Sequence, residues 1–245
     1  MSEFNLITDH IARLDLPFKF AGLIRTYVSV WLIRSPEGFV LIDSGPPDTA
    51  GEMVDAVSGA TDGRGPKVVL LTHGHYNHAG GLTALRLAWN PPIAAHTDET
   101  PFITGERDYS RVRSKNPAYW LGSLLMDTTP WSIPNVQAVE HGRTLFGLTI
   151  VQLPGHTPGH LGYFHKDDKA FVSGDALMNV GGRLTRPLWL STHDMKLAEH
   201  SIRRVAERNF VHLLPSHGNP IMEQGRKVLF AYAQKRLSKD KSRQV

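Results

Sequence analysis

The sequence predicts an α/β fold in layers, with two β-sheets face to face and helices covering their outer sides. Three features predict it. Short apolar, β-branched runs recur along the chain and end in glycine or histidine turns. Segments with helical spacing separate these runs. The order hairpin, helix, strand occurs in each half: "VVLLTHGH" and "VHLLPSHG" are alike at the close of each, and "FVLIDSG" resembles "AFVSGDA", which suggests an old internal duplication.

Taken in order, "YVSVWLIR" and "GFVLIDSG", separated by "SPE", read as a hairpin over Tyr27 to Gly45. "TAGEMVDAVSGA" has helical spacing. "KVVLLTHGH" is a buried strand, nearly continuous in Val and Leu. "AGGLTALRLAW" is a helix and "PPIAAH" a short strand. In the second half "LTIVQLPGH" is a strand, and "LGYFHKDDKAFVSGDA" is a hairpin turning at Lys166 to Lys169. Ala198, Ile202 and Val205 then share one helix face, with Thr192 or His193 leading in and Asp194 in the first turn. "FVHLLPSHG" is the closing strand and "QGRKVLFAYAQKRL" the closing helix. The loops after the strands are expected to collect at one rim. The expectation is one domain over residues 1–245, interrupted at 97–135. That stretch has little strand signal and carries Tyr109, Tyr119, Trp120 and Trp131. It reads either as short helices packed on the rim or as a lid walling a substrate pocket.

Composition excludes several classes. The 245 residues are 41% hydrophobic and 20% charged, which suits a globular chain with a sizeable core. The net charge of +4 owes much to "QKRLSKDKSRQV" at the end, and no basic stripe with interleaved aromatics suggests nucleic-acid binding. There is no cysteine, so no disulfide framework argues for secretion, and metal chemistry is left to histidine, carboxylate and amide ligands. The first residues do not read as a signal peptide, and no run is long enough to span a membrane. A cytoplasmic protein acting on a small molecule, as a monomer or homodimer, is expected.

Histidine and aspartate punctuate the strand ends: Asp43 in "LIDSG", His73, His75 and His78 in "LTHGHYNHAGG", His156 and His160 in "LPGHTPGH", Asp175 in "SGDA" and His217 in "PSHG". Any one of these could be a hydrogen-bonded turn residue. Together they describe a metal centre, because buried imidazoles and carboxylates need partners and a metal satisfies them at once. The chemistry suits zinc, iron or manganese.

These phrases, in this order, resemble the metallo-β-lactamase-fold hydrolase superfamily over nearly the whole chain. The resemblance implies a four-layer αββα sandwich with a two-metal centre, Zn2+ first among the candidates. It implies that His73, His75 and His156 hold one metal, that His78 and His217 hold the second, and that Asp175 bridges them. Asp43 matches a carboxylate that orients the ligands from behind, and His160 matches a turn position. The implied reaction is hydrolysis by a metal-bound hydroxide. One position departs from the pattern. Asn77 stands where the motif carries an aspartate that ligates the second metal and accepts a proton. A neutral amide is a weaker ligand and no base, and loss of a general base typically lowers rates by about 10²–10⁴. Three explanations stay open: an engineered trap, a natural single-metal or slow enzyme, and a non-catalytic metal- or ligand-binding relative that keeps the fold. Without a cysteine ligand, the resemblance leans towards lactonases and hydroxyacylglutathione hydrolases of the glyoxalase II type, hence small ester, lactone or thioester substrates. Arg183 and Arg186 could meet a substrate carboxylate or simply be solvated.

Overall fold

The computed structural model describes residues 2–20, 22–112, 114, 116, 118, 119, 121, 122 and 132–241. The expected hairpin is β3 (Ile24–Ser35) with β4 (Gly38–Ile42), Trp31 opposite Ile42. Beyond β4 the sheet grows in parallel through β5 (Val68–Leu70), β6 (Ile93–His96) and β7 (Val136–Val139). Parallel pairing needs crossovers. Helices α1 (Ala50–Ala60), α2 (Tyr76–Ala79) and α3 (Leu82–Trp89) lie in the first two. On the other side of β3 the chain adds β2 (Ile11–Phe20) and β1 (Asn5–Leu6), both antiparallel, so this seven-stranded sheet runs in chain order. Nothing in the sequence reading placed a strand over 11–20.

The second sheet has the order β14 (His212–Pro215), β11 (Ala170–Gly174), β10 (Leu161–His165), β9 (Leu148–Gln152), β8 (Thr144–Leu145). Its β10–β11 hairpin turns where expected, and β14 pairs in parallel with β11. A small hairpin, β12 (Met178–Val180) and β13 (Arg183–Thr185), follows β11. Among the described residues, three further α-helices are α4 (Thr100–Ile103), α5 (Met195–Ala206) and α6 (Gly225–Lys241). Asp194 is the N-cap of α5 rather than part of its first turn, because its carboxylate accepts from the backbone N–H of Lys196 and Leu197.

Period-two alternation makes the layers. Val40, Ile42, Val68 and Leu70 face the second sheet and pack on Ile150, Leu161, Val172 and Leu214. Leu41 and Val69 face the other way, against Met53, Val57, Leu82 and Leu85 of the helices. The second sheet sends Val151, Phe171 and Leu213 outward against Ile202, Val205 and Leu229. The result is the four-layer αββα sandwich. Between the sheets the Tyr163 hydroxyl donates to Leu71 O at 2.6 Å, and Leu161 N–H to Thr72 O at 2.8 Å. Among the described residues no helix is long and apolar enough to cross a membrane.

Candidate metal centre

The ends of β4, β5, β9, β11 and β14 reach the same rim, and there the chain turns out of the sheets. The turning begins at Asp43, whose φ of 63° is left-handed. Its buried carboxylate accepts from Thr72 N–H at 2.7 Å, from the Thr72 hydroxyl at 2.8 Å, and from His78 Nδ1 at 2.8 Å. Thr72 N–H goes to this side chain instead of a neighbouring strand, so β5 stops at Leu70 and the chain enters the His73–His78 turn. This stop is earlier than the apolar run suggested.

His73, His75 and His156 converge, each offering a nitrogen within 4.8 Å of the others. The tautomers of His73 and His156 follow from their partners. The Thr72 hydroxyl gives its proton to Asp43, so at 3.0 Å from His73 Nδ1 it can only accept; Nδ1 is the donor and Nε2 is left bare. That Nε2 is buried with no hydrogen-bond partner. The Thr192 hydroxyl donates to Leu188 O at 2.7 Å and therefore accepts from His156 Nδ1 at 3.1 Å. The freed His156 Nε2 faces His75 Nδ1 at 3.1 Å. Two ligands of a tetrahedral zinc at about 2.0–2.1 Å stand about 3.3 Å apart. The donor set therefore fits a transition-metal ion.

A second group shares His73 and adds His78 and Asp175. His78 Nε2 and Asp175 Oδ1 lie 3.3 Å apart as an ion pair. His217 joins neither group. It donates through Nδ1 to Tyr27 O at 2.8 Å, and its Nε2 stands 3.3 Å from Asp175 Oδ2. Asn77 Nδ2 stands 3.3 Å from that same Nε2, while its Oδ1 is buried and unpartnered. The amide and the Asp175 carboxylate thus both face His217 Nε2.

Electrostatics separate the two groups. Burial pushes His73 and His156 well below the ordinary imidazole range, and His75 to about 3. All three are neutral, with lone pairs ready at neutral pH. Burial opposes a charge on His78 too, but Asp175 and Asp43 outweigh it and raise its pKa to about 10. A metal there must displace a proton. Burial works against the charge of Asp175, but His217 and His78 prevail and hold its carboxyl well below the usual range.

The description of the metallo-beta-lactamase superfamily matches residues 23–217, from the first hairpin to His217. The chain belongs to that superfamily. A Bacillus subtilis relative named "Probable metallo-hydrolase YflN" is 32% identical over 82% of this chain and 84% of its own. "Acyl-coenzyme A thioesterase MBLAC2" of Homo sapiens is 26% identical over 86% of this chain and 79% of its own. Among solved structures, "TTHA1623 in a di-iron-bound form" superposes with a TM-score of 0.62 at 26% identity, covering 86% of this chain and 96% of that one. The relatives place the chain among the superfamily's metallo-hydrolases.

His160 is buried, its Nε2 accepts from Asp175 N–H at 3.1 Å, and burial lowers its pKa to about 3. It props the carboxylate-bearing turn. Arg183 is exposed, and Arg186 reaches Glu199 at 3.8 Å. Trp120 and Trp131 lie outside the described residues, while Tyr109 sets its ring 4.8 Å from that of His75. Thr72, Thr192 and the Tyr27 carbonyl, which fix three imidazoles, were missed in the sequence. No spacing marks Thr192 and Tyr27, which are far along the chain from the histidines they hold, and no motif marks Thr72, although it adjoins His73.

Proposed function

We propose that the chain is a metal-dependent hydrolase of small ester, lactone or thioester substrates, with a sound metal site at His73, His75 and His156 and a weakened one at His78, Asp175 and His217. One observation carries this reading: three buried neutral imidazoles bring nitrogens within 4.8 Å of one another, with His73 and His156 anchored by threonine hydroxyls. Zinc, iron or manganese would fit, and the di-iron relative makes iron a serious candidate. Bound there, the metal supplies Lewis acidity and acidifies its water towards a pKa of about 7.

The chain's own groups do the rest. Asp175, buried beside His78 and His217, is the carboxylate left to take the proton from the attacking water. It is a poor base, because His78 and His217 hold its pKa down. Asn77 cannot share that task. Within the 97–135 segment, Tyr109, beside His75, is assigned to the pocket wall.

Metal analysis after supplemented expression tests the first step, and a protein free of transition metal sinks the reading. Asn77→Asp tests the second. Turnover on a panel of lactones and thioesters is expected to rise by about 10²–10⁴-fold, with a second metal equivalent. The Asn77–His217 contact favours an alternative, a binding protein that does no chemistry. That alternative gains if metal-loaded parent and variant are both inert.

A further inference from the structure

Behind the three-histidine site lies a carboxylate that no motif announced. Glu99 follows β6 in "HTDET" and is fully buried, at 0% exposure. Its Oε2 accepts Gly74 N–H at 2.9 Å, between His73 and His75. Its Oε1 accepts Gly159 N–H at 2.8 Å, in the turn that runs from His156 to His160. One side chain thus holds the backbones of both ligand-bearing turns, one from each sheet. The Tyr109 hydroxyl also donates to Oε2, and the Tyr109 ring lies between Phe102, stacked at 4.0 Å, and His75 at 4.8 Å.

The two glycines support the same conclusion independently. A Cβ on Gly74 would stand 2.7 Å from the Tyr109 hydroxyl, and one on Gly159 would stand 2.9 Å from Glu99 Cγ and 2.8 Å from His96 Nδ1. Neither backbone could approach the carboxylate with a side chain in the way. A helix-capping role does not explain the residue, since no side-chain bond caps α4.

We infer that Glu99 is a positioning residue: it ties the His73–His75 turn to the His156–His160 turn and sets the spacing at which their imidazoles meet a metal. The inference rests on the reading of those histidines as ligands. Through Tyr109 the same carboxylate fixes part of the 97–135 segment against His75, so pocket wall and metal site share one anchor.

Cobalt(II) serves as the probe, because its absorption spectrum reports ligand geometry and chelator competition gives its affinity. Glu99→Ala is expected to bind cobalt about 10–100-fold more weakly, with an altered spectrum. Glu99→Gln should fall between it and the parent, since its NH2 must face one of the N–H donors. Tyr109→Phe, which keeps the carboxylate, should lose a few-fold and shift the spectrum slightly. Asp168→Ala, at the opposite rim, controls for general destabilisation and should keep the parent spectrum. Folded Glu99 variants with parental affinity and spectrum overturn the inference alone. If they do not fold, Tyr109→Phe decides, and a parental spectrum and affinity there overturn it. A parent chain that binds no cobalt overturns the metal reading first, and this inference with it.

Discussion

Thr72 transmits the state of Asp43 to His73. Its hydroxyl can accept from His73 Nδ1 only because it donates to Asp43, so one buried carboxylate sets the tautomer of two imidazoles, His78 directly and His73 through the threonine. Thr72→Val keeps the shape and removes the hydroxyl. Stability should fall by about 1–3 kcal/mol in denaturant titrations, as expected for an orphaned buried group. Affinity at the three-histidine site should fall about 10–100-fold, since His73 is then free to present its protonated nitrogen. Unchanged affinity would rule the relay out. At Asn77 the sign of the effect depends on metal. Without metal, Asn77→Asp loses the amide donor to His217 and sets a second negative charge near Asp175, so the chelated variant should melt lower than the parent. With metal the added carboxylate is a ligand, and the order should reverse. Calorimetry on both forms checks this, and the same order in both states would show that residue 77 does not face the second metal.

Elements hold the far rim as firmly as the metal turns hold the near one. The turn between β1 and β2 meets the β10–β11 turn through Asp168, which accepts from the Thr8 hydroxyl, from His10 N–H at 3.2 Å and from His10 Nδ1 at 2.6 Å. His165 Nδ1 stands 3.5 Å from the same carboxylate and accepts Asp168 N–H at 3.3 Å. These bonds are closed among themselves, so this His–His–Asp group reads as a clasp between the sheets rather than a metal site. Burial works against the charge on Asp168, but the bonds from Thr8 and His10 and the nearby His165 prevail and lower its pKa. A carboxyl depressed on folding contributes stability that is fully present above its ordinary value of 3.8 and lost as pH falls through the folded value. Asp168→Ala should therefore lose about 2 kcal/mol near neutrality and approach the parent as the buffer becomes strongly acidic. A difference that does not depend on pH would mean the clasp works by packing alone. None of this was legible in the sequence, because Thr8, His10 and Asp168 are unremarkable until a turn from each sheet meets. Strand β2 was hidden for a different reason. Leu14, Leu16 and Phe18 alternate inward, but Asp15, Pro17 and Lys19 between them read as a break. Pro17 is tolerated because β1 pairs only with residues 12 and 13, leaving that part of β2 an edge. The ligand turns, by contrast, were plain: apolar runs ending in His-x-His, Gly-Asp or Ser-His are rare enough to declare themselves. Glu99 was not, since an acid just before a short helix looks like any helix start.

At the scale of the molecule, the candidate ligands are divided between the sheets: His73, His75 and His78 come from turns after β5, and His156, Asp175 and His217 from turns after β9, β11 and β14. A metal on the first site therefore fastens one sheet to the other at the near rim, while the Asp168 clasp fastens them at the far rim. Metal at about 100 times its dissociation constant should add roughly 2.7 kcal/mol. At about 2–4 °C per kcal/mol for a chain of this size, chelation should lower the Tm by roughly 5–10 °C, and the Tm should climb with the logarithm of free metal. A Tm indifferent to chelator would mean that the turns do not hold a metal across the sheets. Combining chelation with Asp168→Ala tests how rigid the layers are. The apolar core between the sheets is continuous from Ile11 and Trp31 to Tyr163 and Leu214, so neither rim should open when the other is cut. The two losses should then add within about 0.5 kcal/mol, as for distant independent sites. A combined loss well beyond the sum would mean that the sheets hinge on that core, and that metal and clasp each depend on the other to keep them closed.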